Sequence, residues 1–196
     1  AKQADAAAKR KAAAADKIAA SAKAASQGKG LPPVHLWNPP DCGDLDMRIA
    51  RDGTWFYLGT PIGRKELVRL FSTILKKEDG KYFLVTPVEK VGITVDDAPF
   101  VAVDFEVAGQ GRDQVLTFTT NVGDSAAAGP DHPIRVVRDA ETGEPSPYVL
   151  IRANLEALID RKSFYRLVEL GVHHDGWFGV WSGGSFFPII PSAELE

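Results

Sequence analysis

The chain has 196 residues, 44% of them apolar, which suits one domain or two small ones. Its net charge of −3 divides unevenly, with +5 on residues 1–30 and −8 on the remainder. The acidic body argues against sequence-independent nucleic-acid binding by the fold itself. The single cysteine, Cys42, rules out an intrachain disulfide and argues against a thiolate metal site.

Residues 1–30 are nearly all Ala, Lys, Ser and Asp. Ala and Lys favour helix, but large apolar side chains are almost absent, so the expectation is a solvated helical tail that buries very little. It stops at Gln27-Gly28-Lys29-Gly30. Lysines interrupt every candidate leader segment, and no apolar run is long enough to span a membrane. A soluble, cytoplasmic protein is expected, with the basic tail as the one place where nucleic acid or an acidic partner could be held.

Asp52-Gly53 marks a tight turn, so residues 47–51 and 54–58 read as a hairpin. Over residues 64–77, Leu67, Leu70, Phe71, Ile74 and Leu75 recur at helical spacing, with Lys76 and Lys77 placed to suit a helix C-terminus. KYFLVTPV and VGITV read as strands. So do PFVAVDFEV (99–107) and QVLTFTTNV (114–122), joined by Gly109-Gln110-Gly111. IRVVRD and YVLI follow, then a helix over roughly 153–173, then the strands WFGVW and SFFPII.

Arg-x-x-Arg-Asp occurs at 48–52 and again at 135–139. Arg64, Leu67, Leu70 and Phe71 match Arg152, Leu155, Leu158 and Ile159, and Asp79-Gly80 matches Asp175-Gly176. These anchors predict that residues 47–94 and 134–190 repeat one strand–turn–strand–helix–strand–strand unit, with Arg51 over Arg138 and Leu67 over Leu155. The expected class is α+β with mostly antiparallel sheets. The expected organisation is an Ala/Lys-rich tail over 1–30, a first α+β unit over 31–92 and a larger second unit over 93–196.

DMRIARDGTWFYLGTPIGRKELVRLF, LVTPVEKVGITVDDAPF, GEPSPYVLIRANLEALIDRKSFYRLVELG and GVWSGGSFFPI occur in this order. Together they resemble the bacterial domain of unknown function 1285 family over about residues 31–190. The resemblance implies a duplicated α+β core and a pleckstrin-homology-like second domain. It also implies a ligand groove between the domains, a nucleotide-like ligand and a role in signal transduction.

Catalytic motifs are missing: there is neither a Gly-x-Ser-x-Gly nor a phosphate-binding Gly-x-x-x-x-Gly-Lys-[Ser/Thr]. Gly109-x-Gly111 lacks a third glycine and reads as a turn. His173-His174-Asp175 reads as a polar helix end, and His35 and His132 as isolated loop residues. Asp41, Asp44 and Asp46 surround Cys42, whose thiolate their charges disfavour. This segment reads as a turn with polar caps, or as the acids of an enzyme. No metal site and no cofactor are expected.

Arg64 and Arg152 stand at predicted helix starts, where a cation opposes the helix dipole. The structural partners would be Asp52 and Asp139, and the functional one an anionic ligand. The tryptophans are expected to be mostly core, with one or two flooring a pocket. The leading expectation is a non-enzymatic ligand-binding or sensory protein. Its site is expected in the groove between the units, using Trp37, Arg48, Trp55, Arg64 and the turn Trp181-Ser182-Gly183. The rivals are an enzyme built on Asp41, Asp44 and Asp46, and a scaffold that binds macromolecules.

Overall fold

The computed structural model describes residues 2–26 and 30–196, with backbone only for residues 7, 8 and 10–13. The predicted stop at Gln27-Gly28-Lys29 lies outside the described residues. Contacts divide the chain into two units, one holding the chain up to Ile49 with Thr54–Val95, the other Ala50–Gly53 with Asp96–Glu196.

The first unit begins with helix α1 (Lys2–Ala25). Contrary to expectation it is docked: Ala15, Ile18 and Ala22 are 6%, 2% and 0% exposed. They recur at helical spacing on one stripe, and α1 packs on α2 (Lys65–Thr73). Small side chains let two helices approach closely, which a count of large apolar residues cannot reveal. Ile18→Ala should therefore cost about 2 kcal/mol, and removing residues 1–26 should lower the thermal midpoint. An unchanged midpoint in both would return α1 to the status of a solvated tail.

The strands of this unit are β1 (Asp41–Ile49), β2 (Trp55–Tyr57), β3 (Thr60–Pro61), β4 (Leu75–Glu78), β5 (Lys81–Val85) and β6 (Lys90–Val95). They form one sheet in the order β3-β2-β1-β6-β5-β4. The β1–β2 register sets Met47 opposite Tyr57, Arg48 opposite Phe56 and Ile49 opposite Trp55. Alternation along the strands then buries Met47, Ile49 and Trp55 while Arg48 faces outward. Phe71 of α2 stacks on Trp55 with ring centroids 6.3 Å apart.

The predicted helix over 64–77 is cut to nine residues. Ser72 and Thr73 turn their hydroxyls back onto the Arg69 and Leu70 carbonyls, a bond that competes with the helical ladder. Asp79 and Gly80 then take positive φ, 50° and 77°, the two-residue turn that requires a strand on each side. Lys76 and Lys77 therefore lie on β4, paired with Phe83 and Tyr82, and not at a helix end.

The second unit carries β7 (Phe100–Ala108), β8 (Val115–Thr120), β9 (Ser125–Ala127), β10 (Ile134–Arg138), β11 (Pro145–Arg152) and β12 (Leu155–Ile159). Their sheet order is β10-β11-β12-β7-β8-β9. Helix α3 (Arg161–Glu169) and a three-stranded sheet of β13 (Val172–His174), β14 (Trp177–Ser182) and β15 (Ser185–Pro191) follow. The predicted helix over 153–173 fails at both ends. Leu155, Leu158 and Ile159 match helical spacing, but they lie on a buried strand flanked by β11 and β7, and a short apolar run fits either structure. Asp160 starts the helix, its Oδ1 accepting the Ser163 amide at 3.0 Å. His173 and His174 lie on β13, so they do not cap a helix.

The duplication is real at the level of sheets but shifted from its predicted anchors. Leu67 is helical and Leu155 starts a strand; Arg51 lies in a turn and Arg138 ends a strand. What repeats is a pair of three-stranded antiparallel meanders whose first and last strands lie side by side in parallel, β1 with β6 and β7 with β12. The architecture is α+β, dominated by two similar six-stranded sheets. Among the described residues, no helix is long and apolar enough to cross a membrane.

Candidate functional site

A cavity of about 520 Å³ opens in the second unit. The start of β11 supplies Pro145, Ser146 and Pro147, the end of β12 supplies Leu158 and Ile159, and α3 adds Phe164 and Tyr165. Tyr165 is 60% exposed. Its volume lies in the range of small-molecule sites. The cations Arg51 and Arg161 and the acids Asp139, Glu144 and Asp160 complete the wall. Arg51 is the second arginine of the first Arg-x-x-Arg-Asp motif and Asp139 the closing aspartate of the second, so each copy contributes one residue to this concavity.

Arg51 is held from behind. Its Nε lies 3.4 Å from Asp97 Oδ2, and its Nη2 donates to Ser146 Oγ at 3.1 Å. Asp97 accepts the Tyr148 hydroxyl at 2.6 Å. Arg135 lies over the Tyr148 ring at 4.7 Å and is clamped by both Glu156 oxygens at 2.9 and 3.2 Å. These bonds leave Nη1 of Arg51 with no partner among the described residues.

Burial, then the bond to Asp97, push the Tyr148 phenol up to about 12. A folded-state value above the unfolded one near 10 means that the neutral phenol stabilises the fold fully below pH 10. That contribution is lost as pH rises from 10 through 12. Urea unfolding of wild-type and Tyr148→Phe protein should differ at pH 8 and approach each other by pH 12. A constant difference would remove Tyr148 from the network.

The acids of the cavity differ in their partners. Glu144 pairs with Arg161 at 3.3 Å, and Asp160 with Lys162 at 2.7 Å. Burial raises Asp160, but Lys162 and Ser163 outweigh it and hold the carboxyl below its usual range. The Asp139 carboxyl is held down by the backbone N–H groups of Thr142 and Glu141, at 2.8 and 2.9 Å. It has no ion-pair partner among the described residues.

None of the seven residues expected from sequence lines this cavity. Trp37, Arg48, Trp55 and Arg64 belong to the first unit, and Trp181, Ser182 and Gly183 to the second. Trp37 is half-buried, and its carbonyl accepts Lys76 Nζ at 3.3 Å. Arg48 lies over the Phe56 ring at 4.7 Å. Trp55 is core, 1% exposed, and its indole N–H has no hydrogen-bond partner among the described residues.

Arg64 is exposed at the N-cap of α2 and makes no ion pair among the described residues. Arg152 ends β11, away from a helix start, and pairs with Asp124 at 3.4 Å instead of Asp139. Ser182 is fully buried; its hydroxyl donates to the Ala128 carbonyl at 2.7 Å and accepts the Leu116 amide at 2.9 Å. Gly183 spends its amide on the Gln114 carbonyl at 3.1 Å. Trp181 lines a smaller cavity of about 320 Å³ with Val107, Leu170 and Val172, and Arg112 stacks 4.7 Å from its ring.

Asp41, Asp44 and Asp46 are exposed along β1, where Asp41 accepts the Gly43 amide at 2.9 Å and Asp44 packs over Gly92. No group of three potential metal ligands occurs among the described residues. Gly109 and Gly111, at φ 80° and 60°, form the expected turn.

Sequence could not have gathered this cavity, because its residues come from segments around 51, 139–147 and 158–165. One local signal was present in Asp160-x-x-Ser163, the N-cap that aims α3 at it.

Residues 32–98 match the N-terminal domain of DUF1285, a domain of unknown function, and residues 99–189 match its C-terminal domain. A crystal structure of a DUF1285 family protein from Silicibacter pomeroyi DSS-3 is 70% identical, covering 91% of this chain and 97% of that one, with a TM-score of 0.85. Another, from Shewanella baltica OS155, is 31% identical over 63% of this chain and 91% of that one, with a TM-score of 0.50. No curated protein matches. With both domains in order and a solved structure this similar, the chain belongs to the DUF1285 family.

Proposed function

We propose that this chain is a non-enzymatic ligand-binding protein whose site is the 520 Å³ cavity of the second unit. The observation that carries the reading is Arg51. It is braced by Asp97 and Ser146, keeps one guanidinium edge open, and shares the cavity wall with Phe164 and the exposed ring of Tyr165. A braced guanidinium recognises an anionic group with little ordering cost, and the rings take a flat or apolar body. A nucleotide-like ligand in a signalling role fits this description, as does an aromatic acid.

A thermal-shift panel of nucleoside monophosphates, aryl carboxylates, amino acids, inorganic phosphate and divalent metals tests it. A ligand raises the midpoint by mass action on the folded state. Arg51→Gln should abolish that shift while the free protein still unfolds cooperatively, with a modest fall in midpoint because Asp97, 20% exposed, loses its cation. A shift that survives Arg51→Gln places the site elsewhere, and a silent panel ends the reading.

The enzyme alternative at Asp41, Asp44 and Asp46 predicts stabilisation by divalent metal alone. The scaffold alternative, with a pleckstrin-homology-like second unit, draws support from the exposed Lys2, Lys9, Lys17 and Lys23 of α1. It predicts binding of a polyanion that is lost with residues 1–26.

A further inference from the structure

The charges around the cavity are more informative than its volume. Three acids line it, and two are matched: Glu144 by Arg161 and Asp160 by Lys162. The third, Asp139, is met by the backbone N–H groups of Glu141 and Thr142 and by the Thr142 side chain, all uncharged, and has no cation among the described residues. Arg51 lines the same cavity, is held by Asp97 and Ser146 through Nε and Nη2, and keeps Nη1 without a partner among the described residues. The wall therefore offers one unmatched carboxylate and one open guanidinium edge, beside the aromatic Phe164 and Tyr165.

A phosphomonoester would bring about two negative charges to a wall where acids already outnumber cations. An anion alone would satisfy Arg51 and leave Asp139 facing added negative charge. An amine alone would do the reverse. A molecule with both charges satisfies each group and adds no net charge.

We infer that the ligand of this cavity is a zwitterion with an aromatic body, an aromatic amino acid, its carboxylate on Arg51, its ammonium on Asp139 and its ring against Phe164 and Tyr165. The inference rests on the ligand-binding reading above and narrows it.

Four probes separate the contributions: L-phenylalanine, phenylacetate, which lacks the ammonium, phenethylamine, which lacks the carboxylate, and adenosine monophosphate. Affinities are measured by calorimetry on the full chain. Phenylalanine should bind best, with each half-molecule weaker by about tenfold, as expected for losing one charged hydrogen-bonding partner.

Asp139→Asn supplies the readout that a structural role would not produce. Asparagine retains the side-chain oxygen that accepts the Glu141 and Thr142 amides, so the turn should persist. The charge is gone, so phenylalanine should bind about tenfold more weakly while phenylacetate binds more tightly than to wild type. Arg51→Gln should weaken phenylalanine and phenylacetate and spare phenethylamine.

Tighter binding of phenylacetate or adenosine monophosphate than of phenylalanine to wild type overturns the zwitterion and leaves the ligand-binding reading standing. Equal loss of all probes in Asp139→Asn also overturns it. Silence of all four probes overturns it as well, and if the wider panel is silent too, the reading beneath falls with it.

Discussion

Replacing Phe71 with alanine should lower the stability of the first unit by about 3–5 kcal/mol, measured as a shift in its urea midpoint. Phe71 is 1% exposed and lies nearly parallel to Trp55, with 16° between the rings, and Trp55 is itself 1% exposed. Deleting the ring removes transfer energy and leaves a cavity against a large rigid neighbour that cannot collapse into it. Trp55 emission should red-shift as water reaches the indole. Phe71→Leu should cost less than half as much, because leucine refills most of the space. A loss below 1 kcal/mol would mean that α2 is not anchored through this pair.

Ser182→Ala should cost about 2–4 kcal/mol. The Ser182 hydroxyl bridges the Leu116 amide and the Ala128 carbonyl in a fully buried position. Alanine leaves both groups without a partner, at about 1–3 kcal/mol for each buried polar group left unmet. The effect should appear in denaturant unfolding and be the same with or without ligand. A neutral substitution that changes ligand affinity would instead return Ser182 to the binding role first suggested by its turn.

The strands were legible where alternation and turn chemistry agreed. β7 and β8 read directly from PFVAVDFEV and QVLTFTTNV, and the hairpin around Asp52-Gly53 from its turn. Misreadings came where a short apolar run fits both periods. Leu155–Ile159 is buried on both faces and carries no alternation to betray a strand, while Ile74 and Leu75 extend the pattern of α2 past its end.

The docking of α1 was missed for a different reason. Its buried stripe is mostly alanine, whose burial depends on what lies opposite. Of the cavity, the repeated motif displayed Arg51 and Asp139 but gave no sign that both line one cavity. Arg48 and Arg64, equally prominent in sequence, face outward from the first unit.

The parallel pairing of first and last strands has a consequence for synthesis. Arg48 lies beside Thr94, and Phe100 beside Ala157. Each six-stranded sheet is therefore closed by its most distant residues, which makes contact order high and folding slow for the size of the unit. On the ribosome, β1 must wait for β6, and β7 for β12, with an unpaired edge open to other chains in the interval.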